Sequence, residues 1–118
     1  MRTGSGGHFQ GLAAEEAAAR LYLSEGGEVL ATRWRCPEGE IDLVVAVQGL
    51  TVFVEVKARR SRDAAAFALA SAQRRRLGAA ASRWLAEHPG EPACRFDVVL
   101  VDRAGRVERI ENALSFEE

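Results

Sequence analysis

At 118 residues the chain has room for one hydrophobic core and not for two. Apolar residues at 47% and charged residues at 28% exclude a disordered chain, and a formal net charge of -1 excludes nucleic-acid recognition by bulk charge alone. No uninterrupted apolar run approaches the ~18 residues of a membrane span, and no apolar stretch follows Arg2 as a secretory signal requires, so a cytoplasmic protein with no membrane partner is expected.

Residues 1–8, rich in Gly and Ser, read as a flexible N-terminus ahead of a single domain over 9–118. Gly4-Ser5-Gly6-Gly7 is not a phosphate loop, because no strand precedes it. An Ala-rich helix is expected from about Phe9 to Glu25, stopped by Gly26-Gly27. Glu28 to Arg35 reads as a strand, and Pro37 and Gly39 mark a turn. Glu40 to Val47 and Leu50 to Ala58 are dense in Val, Ile, Leu and Phe and read as strands joined by a tight Gln48-Gly49 turn. A second helix is expected from about Asp63 to His88, where Pro89-Gly90 ends it. Ala93 to Val101 is a further strand, and Val107 to Ile110 a short last one.

This order is helix-strand-strand-strand-helix-strand(-strand). It predicts an α/β fold of three layers, α/β/α, around a central mixed sheet of four to five strands. Ile41, Leu43, Val45 and Val47 are expected on one sheet face, with Val44 and Ala46 on the other, as in a central strand covered on both sides.

A two-residue loop at Gln48-Gly49 sets Val47 opposite Leu50. Continuing outward, Asp42 faces Glu55 and Glu40 faces Lys57, all four on one face at the end away from the turn. A three-residue loop would shift the register and break the facing of Asp42 and Glu55. Two opposed carboxylates on a central strand pair repel, and burying them costs free energy. A divalent cation such as Mg²⁺ or Mn²⁺ resolves that conflict, since carboxylate oxygens are hard ligands. The competing reading is a solvated charge network at the end of the sheet.

Asp42 followed by Glu55-Val56-Lys57 resembles the motif of the PD-(D/E)xK nuclease superfamily, a carboxylate and then Glu-x-Lys on adjacent strands. Over Gly39-Glu40-Ile41-Asp42-Leu43-Val44, Val52-Phe53-Val54-Glu55-Val56-Lys57-Ala58-Arg59 and Arg95-Phe96-Asp97-Val98-Val99, the chain resembles the YraN-like family of uncharacterised bacterial proteins. That family is regarded as similar in fold to Holliday-junction resolvases and restriction endonucleases. The resemblance runs from about Gly11 to Val101. It implies Asp42 and Glu55 as metal ligands, Lys57 as the catalytic lysine and Glu15 as a first-helix acid completing the ligand set. Gln73 stands where many members have a Lys on the second helix. Other lineages of the superfamily use a Gln there, which implies a polar catalytic role. Arg33 replaces an Asn common in the family.

Other residues carry plainer expectations. Glu40 is a hydrogen-bonding neighbour of the site rather than a ligand. Arg59, Arg60 and Arg62 leave the strand for a loop suited to phosphate contact. Arg74, Arg75 and Arg76 point three ways from a helix, so at least one is solvated, and the others could touch a nucleic-acid backbone without reading bases. Trp34, Phe53, Phe67, Trp84 and Phe96 are expected in the core, and Asp97 in a structural pairing with an arginine. His8 and His88 lack ligand spacing, and Cys36 and Cys94 read as reduced thiols.

The functional expectation is a metal-dependent endonuclease, a phosphodiester hydrolase, using Mg²⁺ or Mn²⁺ on DNA, including branched or structured forms. The alternatives are a catalytically silent nucleic-acid-binding module on the same fold, or a protein-interaction factor. Resemblance to resolvases makes a homodimer plausible, since two-fold substrates suit two-fold proteins.

Overall fold

The computed structural model describes residues 2–58, 71–89 and 93–113, with side chains described from residue 11 in the first helix and from residue 73 in the second. In chain order its elements are α1 (Arg2–Ser24), β1 (Glu28–Cys36), β2 (Gly39–Val47), β3 (Leu50–Ala58), α2 (Ser71–Glu87), β4 (Cys94–Val101) and β5 (Val107–Ile110). The first helix begins at Arg2, earlier than the Phe9 start expected from the Ala-rich run. The expected start of the second helix, together with Arg59, Arg60, Arg62 and Phe67, lies outside the described residues.

The five strands form one sheet in the order β1-β2-β3-β4-β5. β1/β2, β2/β3 and β4/β5 are antiparallel, while β3/β4 is parallel, which makes the sheet mixed as expected. A parallel neighbour cannot follow through a tight turn, so the chain crosses over between β3 and β4, and α2 lies in that crossover.

The β2–β3 connection is the two-residue turn read from the sequence. Gln48 and Gly49 have φ of 51 and 78, the doubly positive pair whose twist matches a hairpin, and Val47 pairs with Leu50. The register then runs through to Leu43 opposite Val54.

A helix covers each face. Under α1, Ala14, Ala17, Ala18 and Tyr22 recur at helical spacing and pack on Leu43, Val45, Val47, Val52, Val54, Val99 and Val101. The small alanines bring the helix close to the valine surface. At the helix end, Gly26 takes φ 86 and the Gly27 N–H donates to Tyr22 O at 2.9 Å, which satisfies the last turn. On the other face, Leu77, Ala80, Ala81 and Trp84 of α2 meet Ile41, Val44, Phe53 and Phe96. Trp34 and Trp84 stand edge to face at 5.2 Å, and Phe53 lies 5.3 Å from Phe96, so these aromatics serve the core. Arg83 donates to both carboxylate oxygens of Glu38, at 2.6 and 2.9 Å, and ties α2 to the β1–β2 turn.

One expectation is corrected. Ile41 does not join Leu43, Val45 and Val47 beneath α1 but packs with Val44 on the α2 side. Residues three apart cannot share a face of a regular strand, so the alternation breaks around Asp42. Uninterrupted alternation therefore does not carry Glu40, Asp42, Glu55 and Lys57 onto one face. The neighbouring strand is irregular at the same level. Arg33 lies between the pairs Thr32–Leu43 and Trp34–Ile41, across from Asp42, and has φ 51. That left-handed conformation favours Asn over Arg.

Asp97, 1% exposed, is paired with an arginine as expected. Arg95 donates to both its oxygens at 2.9 and 3.0 Å, Tyr22 OH donates at 2.6 Å and the Asn112 N–H at 3.1 Å. Burial, followed by the Asp97 carboxylate, pushes the Tyr22 hydroxyl well above its ordinary pKa, so it stays a donor. The network clamps the end of α1 to β4 and to the segment after β5.

Candidate functional site

The β2–β3 ladder ends at Leu43–Val54, but neither strand ends there. β2 stays paired with β1 as far as Gly39, and β3 stays paired with β4 as far as Ala58. The two central strands are thus held by their outer neighbours and part from each other. Asp42 and Glu55 are the first residues past the parting. Asp42 fills the gap: its Oδ2 accepts the Val56 N–H at 2.8 Å, replacing a lost ladder bond.

Glu55 is gripped from two sides. Gln73 on α2 donates Nε2–H to Glu55 Oε2 at 2.8 Å, and Lys57 Nζ stands 3.4 Å from the same oxygen. The Glu55 and Lys57 side chains are 12% and 15% exposed, so this ion pair is largely withdrawn from water. The structure thereby brings Asp42, Glu55, Lys57 and Gln73 to one place, drawn from β2, β3 and α2.

Electrostatics mark the same spot. Burial, then the charge of Glu55, pushes the Asp42 carboxyl up to about 7, and the Val56 hydrogen bond only partly opposes this. Glu55 is also raised, by burial first, against the pull of Lys57. Even with Lys57 beside Glu55, the two carboxylates cannot easily both ionise.

Glu15 and Glu40 lie around the pair. Both bear on Asp42 by charge. Glu15 is not free to turn inward, because its Oε1 accepts Arg33 Nε–H at 2.9 Å. Glu40, at the sheet end, is 3.6 Å from Arg35 Nε. Arg74 is half-buried on α2, and Arg75 and Arg76 are exposed. Among the described residues, no three His, Cys, Asp or Glu side chains converge as a ready metal site. The donor set nevertheless suits a hard divalent ion: two part-buried carboxylates whose mutual repulsion it would relieve, with water completing the shell. Asp42 and Glu55 are the residues that would hold it.

Sequence reasoning missed three parts of this arrangement. The fork itself depends on pairing with β1 and β4. The Val56 N–H is a backbone group that no motif names. The Arg33–Glu15 pair joins two elements and has no local signature in the sequence.

Fold and site define an α/β protein with a part-buried carboxylate pair at a split between its central strands. The sequence pattern described as "Uncharacterised protein family UPF0102" matches residues 14–101. A UPF0102 protein of Cereibacter sphaeroides is 47% identical over 118 residues, covering 96% of this chain and 98% of that protein. One from Granulibacter bethesdensis is 46% identical over 110 residues, covering 92% and 70%, and one from Ralstonia nicotianae is 48% identical over 114 residues, covering 91% and 87%. The chain belongs to the UPF0102 family, the YraN-like family that the sequence motifs resembled. No helix among the described residues is long and apolar enough to cross a membrane.

Proposed function

We propose that this protein is a divalent-metal-dependent endonuclease of the PD-(D/E)xK type, acting on DNA and suited to branched or structured forms. The observation that carries the reading is the Asp42–Glu55 pair: two part-buried carboxylates past the end of the hairpin ladder, with Lys57 Nζ 3.4 Å from Glu55.

In this reading Asp42 and Glu55 hold Mg²⁺ or Mn²⁺. A bound ion supplies a Lewis acid that lowers the pKa of water and neutralises phosphate charge. The protein does the rest by position. The Val56 N–H fixes Asp42 Oδ2, so the carboxylate is aimed before any ligand arrives. Gln73 Nε2 fixes Glu55 Oε2. Lys57, held beside Glu55 in a water-poor site, presents an ammonium that orients the attacking water or stabilises charge growing on the phosphate. Arg74 and Arg75 on α2, with Arg59, Arg60 and Arg62 after β3, supply phosphate contacts that position the backbone without reading sequence. A homodimer and a cytoplasmic setting suit this role.

The test is cleavage of linear and four-way-junction DNA in Mg²⁺ or Mn²⁺ by the wild type, Asp42→Ala and Lys57→Ala, with folding followed by circular dichroism. Metal-dependent cleavage that disappears in both folded variants supports the reading, and undiminished cleavage in both overturns it. One observation favours a second reading, a DNA-binding module without turnover: Glu15 is engaged by Arg33, leaving two carboxylates rather than three. Salt-dependent DNA binding without cleavage under any divalent ion would select it.

A further inference from the structure

The pairing of Arg33 with Glu15 has no part in the steps above. Arg33 sits on β1 across from Asp42, and its Nε–H is given to Glu15 Oε1 at 2.9 Å. The two side chains are 35% and 18% exposed, so the contact is half-sheltered rather than a loose surface pair. The backbone that carries it is unusual. At φ 51, Arg33 occupies a region that long side chains rarely adopt, and such residues persist where the surroundings hold them. The guanidinium also lies within the field of Glu40 and Asp42. A permanent cation, held by Glu15, therefore acts on Asp42 and Glu40 before any metal arrives. It engages Glu15, a first-helix acid whose charge bears on Asp42, and a positive charge there opposes an incoming cation.

We propose that Arg33 is a built-in counter-cation that holds Glu15 away from the Asp42–Glu55 pair and thereby sets that pair's affinity for a divalent metal. Arg33 is thus a positioning residue acting through Glu15. The inference rests on the metal-site reading above and deepens it. With Arg33 in place the site offers two carboxylates. Without it Glu15 is released to become a third ligand.

The experiment is Mn²⁺ titration of the full chain, read by the electron paramagnetic resonance signal of free Mn²⁺. It compares the wild type, Arg33→Asn, the double variant Arg33→Asn/Glu15→Gln, and Arg33→Asn/Asp42→Asn. Asn suits a φ of 51, so the position 33 variant is expected to fold. Arg33→Asn should bind Mn²⁺ on the order of tenfold more tightly, the scale of removing one positive charge from beside a partly screened site. The Arg33→Asn/Glu15→Gln variant should lose that gain. Affinity unchanged or weakened in Arg33→Asn, or a gain that survives Glu15→Gln, overturns the inference while leaving the metal site standing. Binding indifferent to Asp42→Asn, or no Mn²⁺ binding by the wild type and Arg33→Asn alike, overturns the metal-site reading and this inference with it.

Discussion

Asp42 and Val56 are joined across a gap. Asp42 Oδ2 accepts the Val56 N–H at 2.8 Å just where β2 and β3 cease to pair. A side chain has taken the place of a backbone acceptor, and in doing so it is held beside Glu55. The fork therefore closes its own backbone accounts while bringing two acids together. Without a cation that proximity costs stability, and the cost depends on pH.

The sign follows from the shift. Asp42 has an ordinary value of 3.8 and is raised to about 7 in the fold, by burial and then by Glu55. The folded state thus binds its proton more tightly than the unfolded chain does. The stability this gives is fully present below pH 3.8 and is lost as pH rises towards about 7. Metal-free protein should lose stability across that window, on the order of 4 kcal/mol. Asp42→Asn keeps an acceptor for Val56 and should flatten the profile, so that the variant is more stable than the wild type at pH 8. Urea denaturation at pH 5 and pH 8 in excess chelator measures this. Equal pH slopes in the two proteins would contradict it.

Gln73 makes a direct contact that can be read without a substrate. Its Nε2–H on Glu55 Oε2 joins α2 to β3 over a part-buried surface. Gln73→Ala removes a donor to a charged acceptor and should cost about 1.5 kcal/mol at pH 8. It should cost less at low pH, where a protonated Glu55 needs the donor less. Gln73→Lys should do the opposite, lowering the Glu55 proton affinity by adding a cation. Carbon-13 NMR of the Glu55 carboxyl during a pH titration separates the two.

How much of this was visible in the chain depended on range. The hairpin register was legible because a two-residue turn leaves one pairing, and Val47 does meet Leu50. The aromatic core was legible, and so was an arginine partner for a lone acid in an apolar strand, although only the structure identifies it as Arg95. Ile41 was misplaced because alternation is a local rule, and the break at Asp42 coincides with an irregular residue, Arg33, on the neighbouring strand. Tyr22 as a donor to Asp97 spans 75 residues of sequence and has no local signature. The bond from Arg33 to Glu15 joins two different elements, a pairing only tertiary structure decides.

The Tyr22–Asp97 network predicts an asymmetry. In Tyr22→Phe, Asp97 keeps Arg95 and the Asn112 N–H, so the loss is one hydrogen bond to a charged group, about 2 kcal/mol. In Asp97→Ala, Arg95 and the Tyr22 hydroxyl lose their shared partner, and the cost should be about 4 kcal/mol. Thermal unfolding of both variants gives the order directly. A larger loss in Tyr22→Phe would mean that ring packing under α1, rather than the buried charge, organises this end of the molecule.

The β2–β3 turn offers a gain. Gln48 holds φ 51 as the first of two positive-φ residues, a conformation that Asn adopts more readily. Its side chain is exposed at the turn, so substitution disturbs no packing. Gln48→Asn should stabilise the fold by about 0.5 kcal/mol, because the replacement favours the native turn without removing a contact. Gly49, at φ 78, should respond in the other direction, with Gly49→Val costing about 1 kcal/mol or more from backbone strain. The same turn fixes the register that leads down to Leu43 and Val54, and so to the fork. Gly49→Val should therefore loosen the Val56–Asp42 contact as well as lower stability. Faster amide exchange at Val56 in that variant, beyond what its global stability accounts for, is the expected sign. An unchanged Val56 rate would show that β1 and β4 hold the fork without help from the turn.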